Sequence, residues 1–476
     1  MLRRCVLRFV LFQSIVTHSI LASCILALVA MPAAARTRPH YGGTLRVEVE
    51  GDPLQRDGAQ RPVGIAWPMV LDGLTRLDAQ GNVLSSLAVR WTSENSDHRW
   101  QFWLRRGISF QDGRPLTALS VASSLTASCR ISACPWTGVH VAGLSVVFIS
   151  DASIPDLPAL LAENAFLIQQ AEESSGQDAQ QIVGTGSFRI KGSNNGTVKL
   201  EANDDCWQGR PFIDSLELIT RRSTNGQPVE LGSTHSPNTA DIVELRAADI
   251  RQATQRRLNM LVSPAETLLA LEVKDASLSP QLRAAIAMAV DRATLYQVIF
   301  QKQGEVTASL LPAAVSGYSF LFPAARDLGR AQALRGGITP PALTLAAEGP
   351  GPVQLAVERL ALNLRDAGFA VKVITPISNG RVPPGVDLVL RQLPVTPGEP
   401  ATALNGMLRL LGQTPSAASQ DPTAIYNAER DFLSQHTVIP LLFLPRTWAV
   451  GERVRDLHLS ANGVPDLANA SLEGTP

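Results

Sequence analysis

The residues able to do chemistry are few and widely spaced. The stretch VGTGSFRIKGSNNG, residues 183–196, sets Gly184 and Gly186 on either side of Thr185. Glycines so close can bring backbone N–H groups around a phosphate, but a phosphate loop then needs Lys and Ser/Thr entering a helix. Here Ser187, Phe188 and Arg189 follow and lead into a strand, so a nucleotide site is not expected. His40, His98, His140, His235, His436 and His458 form no His-x-His or His-Glu-x-x-His pair, and no Gly-x-Ser-x-Gly elbow is present. A triad drawn from distant residues is a question for geometry, not for spacing. Cys129 and Cys134 could close a small loop in an oxidising compartment. Their spacing makes no metal site without further ligands, and Cys206 is left over as a buried or half-buried thiol.

The chain around these residues is that of a folded, exported protein. Its 476 residues exceed one ordinary core, so two or three domains are expected. A hydrophobic share of 45% with 18% charged residues suits a globular chain. The formal charge of zero gives no electrostatic footprint for nucleic acid. At the N-terminus, Arg3, Arg4 and Arg8 precede an apolar run that is densest at ILASCILALVAM, and Ala33 and Ala35 follow in the signal-peptidase pattern. The expectation is a signal peptide over 1–35, cleaved after about Ala35, and a periplasmic mature chain. Two alternatives are a retained anchor, for which Ile20–Met31 is short, and lipidation at Cys24 within LASC. Cleavage would leave 39 basic against 42 acidic residues.

Periodicity then sets out the elements that must hold any site. Leu45, Val47 and Val49 alternate as a strand whose wet side carries Glu48 and Glu50, and Asp52-Pro53 ends it. Trp100, Phe102 and Leu104 alternate likewise, as do Ile108 and Phe110, and Thr117 is placed to cap a helix. Trp91, Trp100, Trp103 and Trp207 fall in β-rich stretches and are assigned to the core, whereas Trp136 and Trp448 are not placed. Asn195-Gly196 predicts a hairpin, because both residues tolerate positive φ. Leu282, Ile286, Ala289 and Ala293 fall on one helical face, with Ser279 as cap and Pro280 in first position. A strand at 342–349, a helix carrying Val353, Val357, Leu360 and Leu364 and ended by Gly368, then strands FAVKVI and DLVLRQL make a βαβ unit, hence an α/β class.

Several of these stretches, in this order, resemble the large periplasmic solute-binding proteins of ABC importers, in the peptide/nickel class (family 5, dipeptide/oligopeptide-binding-like). GGTLRV resembles the first strand. LDGLTRLDAQGNVLSSLAVRWTSENSDHRWQFWLRRGISFQDGRPLTALSV resembles the signature region, VGTGSFRI a later strand, and NDDCWQGRPFIDSLEL a segment in which Cys206 stands where tyrosine is usual. LRAAIAMAVDRATLYQVIF, with Asp291-Arg292, and PLLFLPRTWAVGERVRDL resemble later family segments.

The resemblance implies a two-lobed binding-protein fold of the class II type with an additional inserted small domain. Lobe I would be discontinuous (36–75, 183–265, 450–476), the insert 76–182 and lobe II 266–449. It implies hinge closure over a peptide or related small organic solute, delivery to ABC permease subunits, a monomer, and neither enzymatic activity nor a cofactor or metal. Peptide-binding members place an acid for the ligand amine in the region matching DLVLRQLPVTPGEPATALNG, where the usual aspartates are missing. Glu399 stands nearest to that role, and Arg391 could meet a carboxylate bidentately. Two other readings stay open: a sensor or binding protein without a dedicated permease, suggested by the altered TPGEP region, and a secreted hydrolase for which no nucleophile can be named.

Overall fold

The computed structural model describes residues 41–473 except 57–59, 132–133, 171–181, 222–230, 232–238, 319–320, 339–340, 348–351, 375–381 and 415–419. The expected signal peptide, with Cys24, lies outside the described residues, as do His40 and His235. Everything below concerns the compact unit that runs from His40 onward.

β1 (Thr44–Val49) buries Leu45, Val47 and Val49 on one face, as its alternation requires. A smaller unit follows: the hairpin β2 (Thr75–Leu77) and β3 (Val83–Ser85), then β4 (Ala88–Glu94), β5 (Arg99–Leu104), helix Ala118–Ile131, β6 (Gly138–Ala142) and β7 (Ser145–Ile149). Its four-stranded antiparallel sheet runs β4-β5-β7-β6 over a core with Phe102, Phe148, Trp136 and Leu125. Thr117 Oγ1 accepts from the Ser120 backbone N–H at 3.1 Å, the cap its position calls for. Ile108 and Phe110 are buried but belong to no strand; only an isolated bridge, Ser109 to Pro115, forms there. Trp136 and Trp448 prove to be core, while Trp103 lies half-buried beneath the Arg90 guanidinium, 3.8 Å away.

The chain returns through β8 (Phe188–Asn194), β9 (Thr197–Ala202), β10 (Ser215–Thr220) and β11 (Ile242–Leu245). Asn195 and Gly196 take φ of 51° and 79°, the hairpin turn that the dipeptide favours. Gly184 and Gly186 serve the packing of backbone rather than a phosphate. Neither has positive φ, but a Cβ at Gly184 would lie 2.0 Å from the Val70 carbonyl oxygen, and one at Gly186 2.5 Å from that of Met69. The two glycines let backbone pass against backbone.

The rest comprises β12 (Asn259–Val273), β13 (Glu305–Val306), β14 (Leu343–Ala347), β15 (Val371–Val373), β16 (Leu388–Pro394) and β17 (Val438–Val450). One large mixed sheet has the order β15-β14-β16-β12-β17-β11-β1-β10-β9-β8, with β13 on β17. β14 is parallel to β15 and β16, and helix Pro352–Asp366 crosses between them, as the βαβ pattern predicts. Both faces of β12 are covered. Leu269 and Leu271 pack with helices Pro280–Ala289 and Pro352–Asp366, and Leu268 and Ala270 with helices Pro400–Leu410 and Pro422–Leu433. A second core surrounds β1, β9 and β10 and includes Trp448.

The helix expected through Ala293 stops at Ala289. Val290 is extended, and Asp291 starts a new turn by accepting from the Thr294 N–H. Ala293 is therefore exposed. Arg292 is buried instead, its Nε donating to the Pro440 carbonyl at 2.8 Å, and burial lowers its pKa to about 10.

Candidate functional site

The two halves of the large sheet are joined by β12 and β17, both too long to belong to one half. Residues 259–262 pair with 447–450, which also pair with β11; residues 267–272 pair with 438–444. Between them the register shifts twice, at Val262/Ala265 and Ala265/Thr267. Pro264 and Pro445 sit in this break, where the lack of an N–H costs least because the ladder is already interrupted.

A cluster of charge fills the break. Arg446 Nε lies 3.2 Å from Glu244 Oε1 and 3.0 Å from Glu266 Oε1, and its backbone N–H donates to Ser263 Oγ at 2.9 Å. Glu244 also accepts from the Glu50 N–H at 2.8 Å. Burial pushes Glu266 up to about 7; Arg446 pulls it down and the charge of Glu244 pushes it further up. Burial is the larger cause, and one cation shared by two carboxylates offsets it only in part. Gly463 closes over it: a Cβ there would sit 2.5 Å from Glu266 Oε2, and φ is +66°.

A second charge cluster lies where helix Pro400–Leu410 meets the smaller unit. At the head of the helix, a Cβ on Gly81 would lie 2.7 Å from the Gly398 nitrogen, so the β2–β3 turn touches that loop backbone to backbone. Near its end, Arg409 is ion-paired with Asp156, a partner 253 residues away in sequence. Nearby, burial pushes Glu163 up to about 7, while the charges of Arg409 and Arg61 draw it down and that of Asp156 pushes it up. Beside this cluster is a cavity of about 190 Å³ whose polar lining includes Arg56, Arg61, Gln169, Gln170, Ser124 and Ser128.

The two residues singled out by resemblance lie close to these features but do different work. Arg391, on β16 opposite Ala270, places Nη1 3.3 Å from Glu272 Oε2, and Lys274 holds the other oxygen of that carboxylate at 3.1 Å. Its guanidinium is thus engaged within the sheet. Glu399 is exposed at the head of helix Pro400–Leu410; its side chain makes no cap bond, and its carbonyl accepts from the Ala403 N–H at 2.9 Å. Cys129 and Cys134 are joined by a disulfide at the end of helix Ala118–Ile131. Cys206 is free and buried, and burial pushes its thiol up. Among the described residues no group of three or more His, Cys, Asp or Glu could hold a metal ion, and no helix is long and apolar enough to cross a membrane.

Arg446, Glu266 and Arg409 were not singled out by residue type. One signal was available: Arg446 interrupts PLLFLPRTWAV, and a charge inside so apolar a strand must find a buried partner. Asp156 and Glu163 carry no comparable mark.

Two α/β halves sharing a pair of continuous strands, with a small β-rich unit beside them, form a two-lobed binding-protein fold. Among solved structures, the chain is similar to the oligopeptide-binding protein AppA of Bacillus subtilis in complex with a nonapeptide, with a TM-score of 0.75 at 17% identity over 92% of this chain and 100% of that one. NikA of Staphylococcus aureus in complex with Ni(L-His)2 superposes with a TM-score of 0.74 at 17% identity, covering 90% of this chain and 100% of that chain. The model of the bacterial extracellular solute-binding proteins, family 5 Middle, matches residues 82–407. The chain belongs to that family: it is a family 5 solute-binding protein. In sequence, the nickel-binding protein NikA of S. aureus is 24% identical over 236 residues, 48% of each chain. The HTH-type transcriptional regulator SgrR of Pectobacterium atrosepticum is 30% identical over 156 residues, 31% of this chain and 28% of that one. The chain thus spans from about a quarter to about half of the length of the curated relatives it matches.

Proposed function

We propose that the chain is exported by a cleaved leader over 1–35 and works in the periplasm as a monomer. There it captures a peptide or related small organic solute by hinge closure and presents it to the permease of an ABC importer. The observation that carries this reading is the coordinated register break in β12 and β17, with Pro264 and Pro445 inside it. Two strands weakened at the same level provide a bend while the packed halves stay rigid. Lobe I would comprise 36–75, 183–265 and 450–476, the insert 76–182 and lobe II 266–449. Glu399, exposed where helix Pro400–Leu410 begins, is the acid offered to a ligand amine, and Arg391, whose Nη1 lies 3.3 Å from Glu272 Oε2, is the cation offered to a ligand carboxylate. No covalent step is required of any residue.

The test is thermal stabilisation of the mature chain by di- to nonapeptides and by nickel–histidine. A ligand of the closed form raises stability by RT ln(1 + [L]/Kd), about 2.7 kcal/mol at a hundredfold excess over Kd. A flat response to the whole panel would count against solute capture as stated. The similarity to SgrR favours a second reading, a binding module that senses its solute without a permease. Uptake of a radiolabelled ligand into cells with and without the gene separates the two: a sensor leaves the rate unchanged.

A further inference from the structure

The contact between Asp156 and Arg409 has no function in holding either of its own elements. Asp156 occupies the N-cap position of helix Leu157–Leu160, where an aspartate ordinarily accepts a backbone N–H of the first turn. It makes no such cap bond. Its carboxylate, with 4% of the side chain exposed, points at Arg409. Each partner is rigidly seated. Leu157 is fully buried and Thr75 Oγ1 donates to the Pro158 carbonyl at 2.6 Å, which fixes the Asp156 side. Leu404 and Met407 are fully buried and the Ala401 N–H donates to Gln420 Oε1 at 3.2 Å, which fixes the helix bearing Arg409. The pair therefore ties one packed body to another across a boundary that no strand crosses.

We propose that Asp156 and Arg409 are a closure latch: formed when the lobes close and separated when they open. The inference rests on the hinge-closure reading above. A buried carboxylate without its partner is costly, so a closed molecule lacking the pair is penalised, whereas in the open molecule water replaces it. The latch thus sets the balance between the two forms.

Spin labels on Leu119→Cys and Leu355→Cys, both exposed and on opposite sides of the boundary, report the opening by pulsed dipolar distance measurement in a Cys206→Ser background. The full mature chain is used without ligand. Arg409→Glu should lower the ratio of closed to open molecules by about tenfold or more, the size of one strong pairwise interaction. Gly81→Val is the control: its side chain would press on the Gly398 nitrogen and wedge the boundary open without touching the latch. If Gly81→Val lengthens the distance and Arg409→Glu does not, the latch is wrong and closure stands. If neither changes it, hinge closure itself fails.

Discussion

Two charge clusters serve this protein in different ways. Each holds a buried acid pushed up to about 7: Glu266, with Arg446 ion-paired to both it and Glu244, and Glu163, near the Arg409–Asp156 pair and Arg61. The first lies within one sheet, on neighbouring strands, and cannot come apart without unpairing β11, β12 and β17. The second joins groups 253 residues apart with no ladder between them. Similar charges are thus a fixed part of the folded state in one place and, on the latch proposal, a conditional contact in the other. The backbone hydrogen bonds around them, rather than the ion pairs, make the difference.

The largest test of that contrast is the pair of alanine variants. Arg446→Ala leaves Glu244 and Glu266 facing each other in a place they cannot leave. The cost of breaking a buried pair is several kcal/mol, but a third of the Arg446 side chain is exposed, so a loss of about 2–3 kcal/mol is expected in urea unfolding at pH 7.5. On the latch proposal, Arg409→Ala should cost less than about 1 kcal/mol in the same measurement, because opening would hydrate Asp156. Equal losses would erase the distinction.

An intermediate effect is expected from pH. Glu266 has a folded pKa above its unfolded one, so the folded state binds more protons between about pH 4.5 and 7. Its contribution to stability is greatest at or below pH 4.5, declines as pH rises to 7 and is flat beyond. Glu266→Gln, which cannot ionise, should flatten that decline and gain on the order of 1–2 kcal/mol over the wild type at pH 8. A variant whose stability keeps the wild-type slope would place the titration elsewhere. The smallest effect concerns Gly463. Gly463→Ala must displace the Glu266 carboxylate and hold φ at +66°, for about 1 kcal/mol, and Glu266→Gln should not relieve it, since an amide fills the same space.

Much of the fold was legible because its signals are local. The alternation at Leu45, Val47 and Val49, the Asn195-Gly196 turn, the Thr117 and Ser279 caps and the βαβ spacing all depend on residues within one element. Where local signals compete, the tertiary contacts decide. Asp291 can continue a helical face or cap a new turn, and the buried bond of Arg292 to the Pro440 carbonyl favours the second. Gly184 and Gly186 marked a special backbone, but only the approach of residues 69 and 70 explains why.

By itself, the sequence determined the elements, the α/β class and, through the order of its motifs, the family, since hydrophobic period and turn chemistry act over a few residues. The tertiary structure alone decided which charges meet. It set Arg391 on Glu272, left Glu399 exposed at a helix head, and paired Arg446 with Glu266 and Arg409 with Asp156. Such pairs depend on where distant segments come to rest, and nothing in a residue's own neighbourhood carries that information.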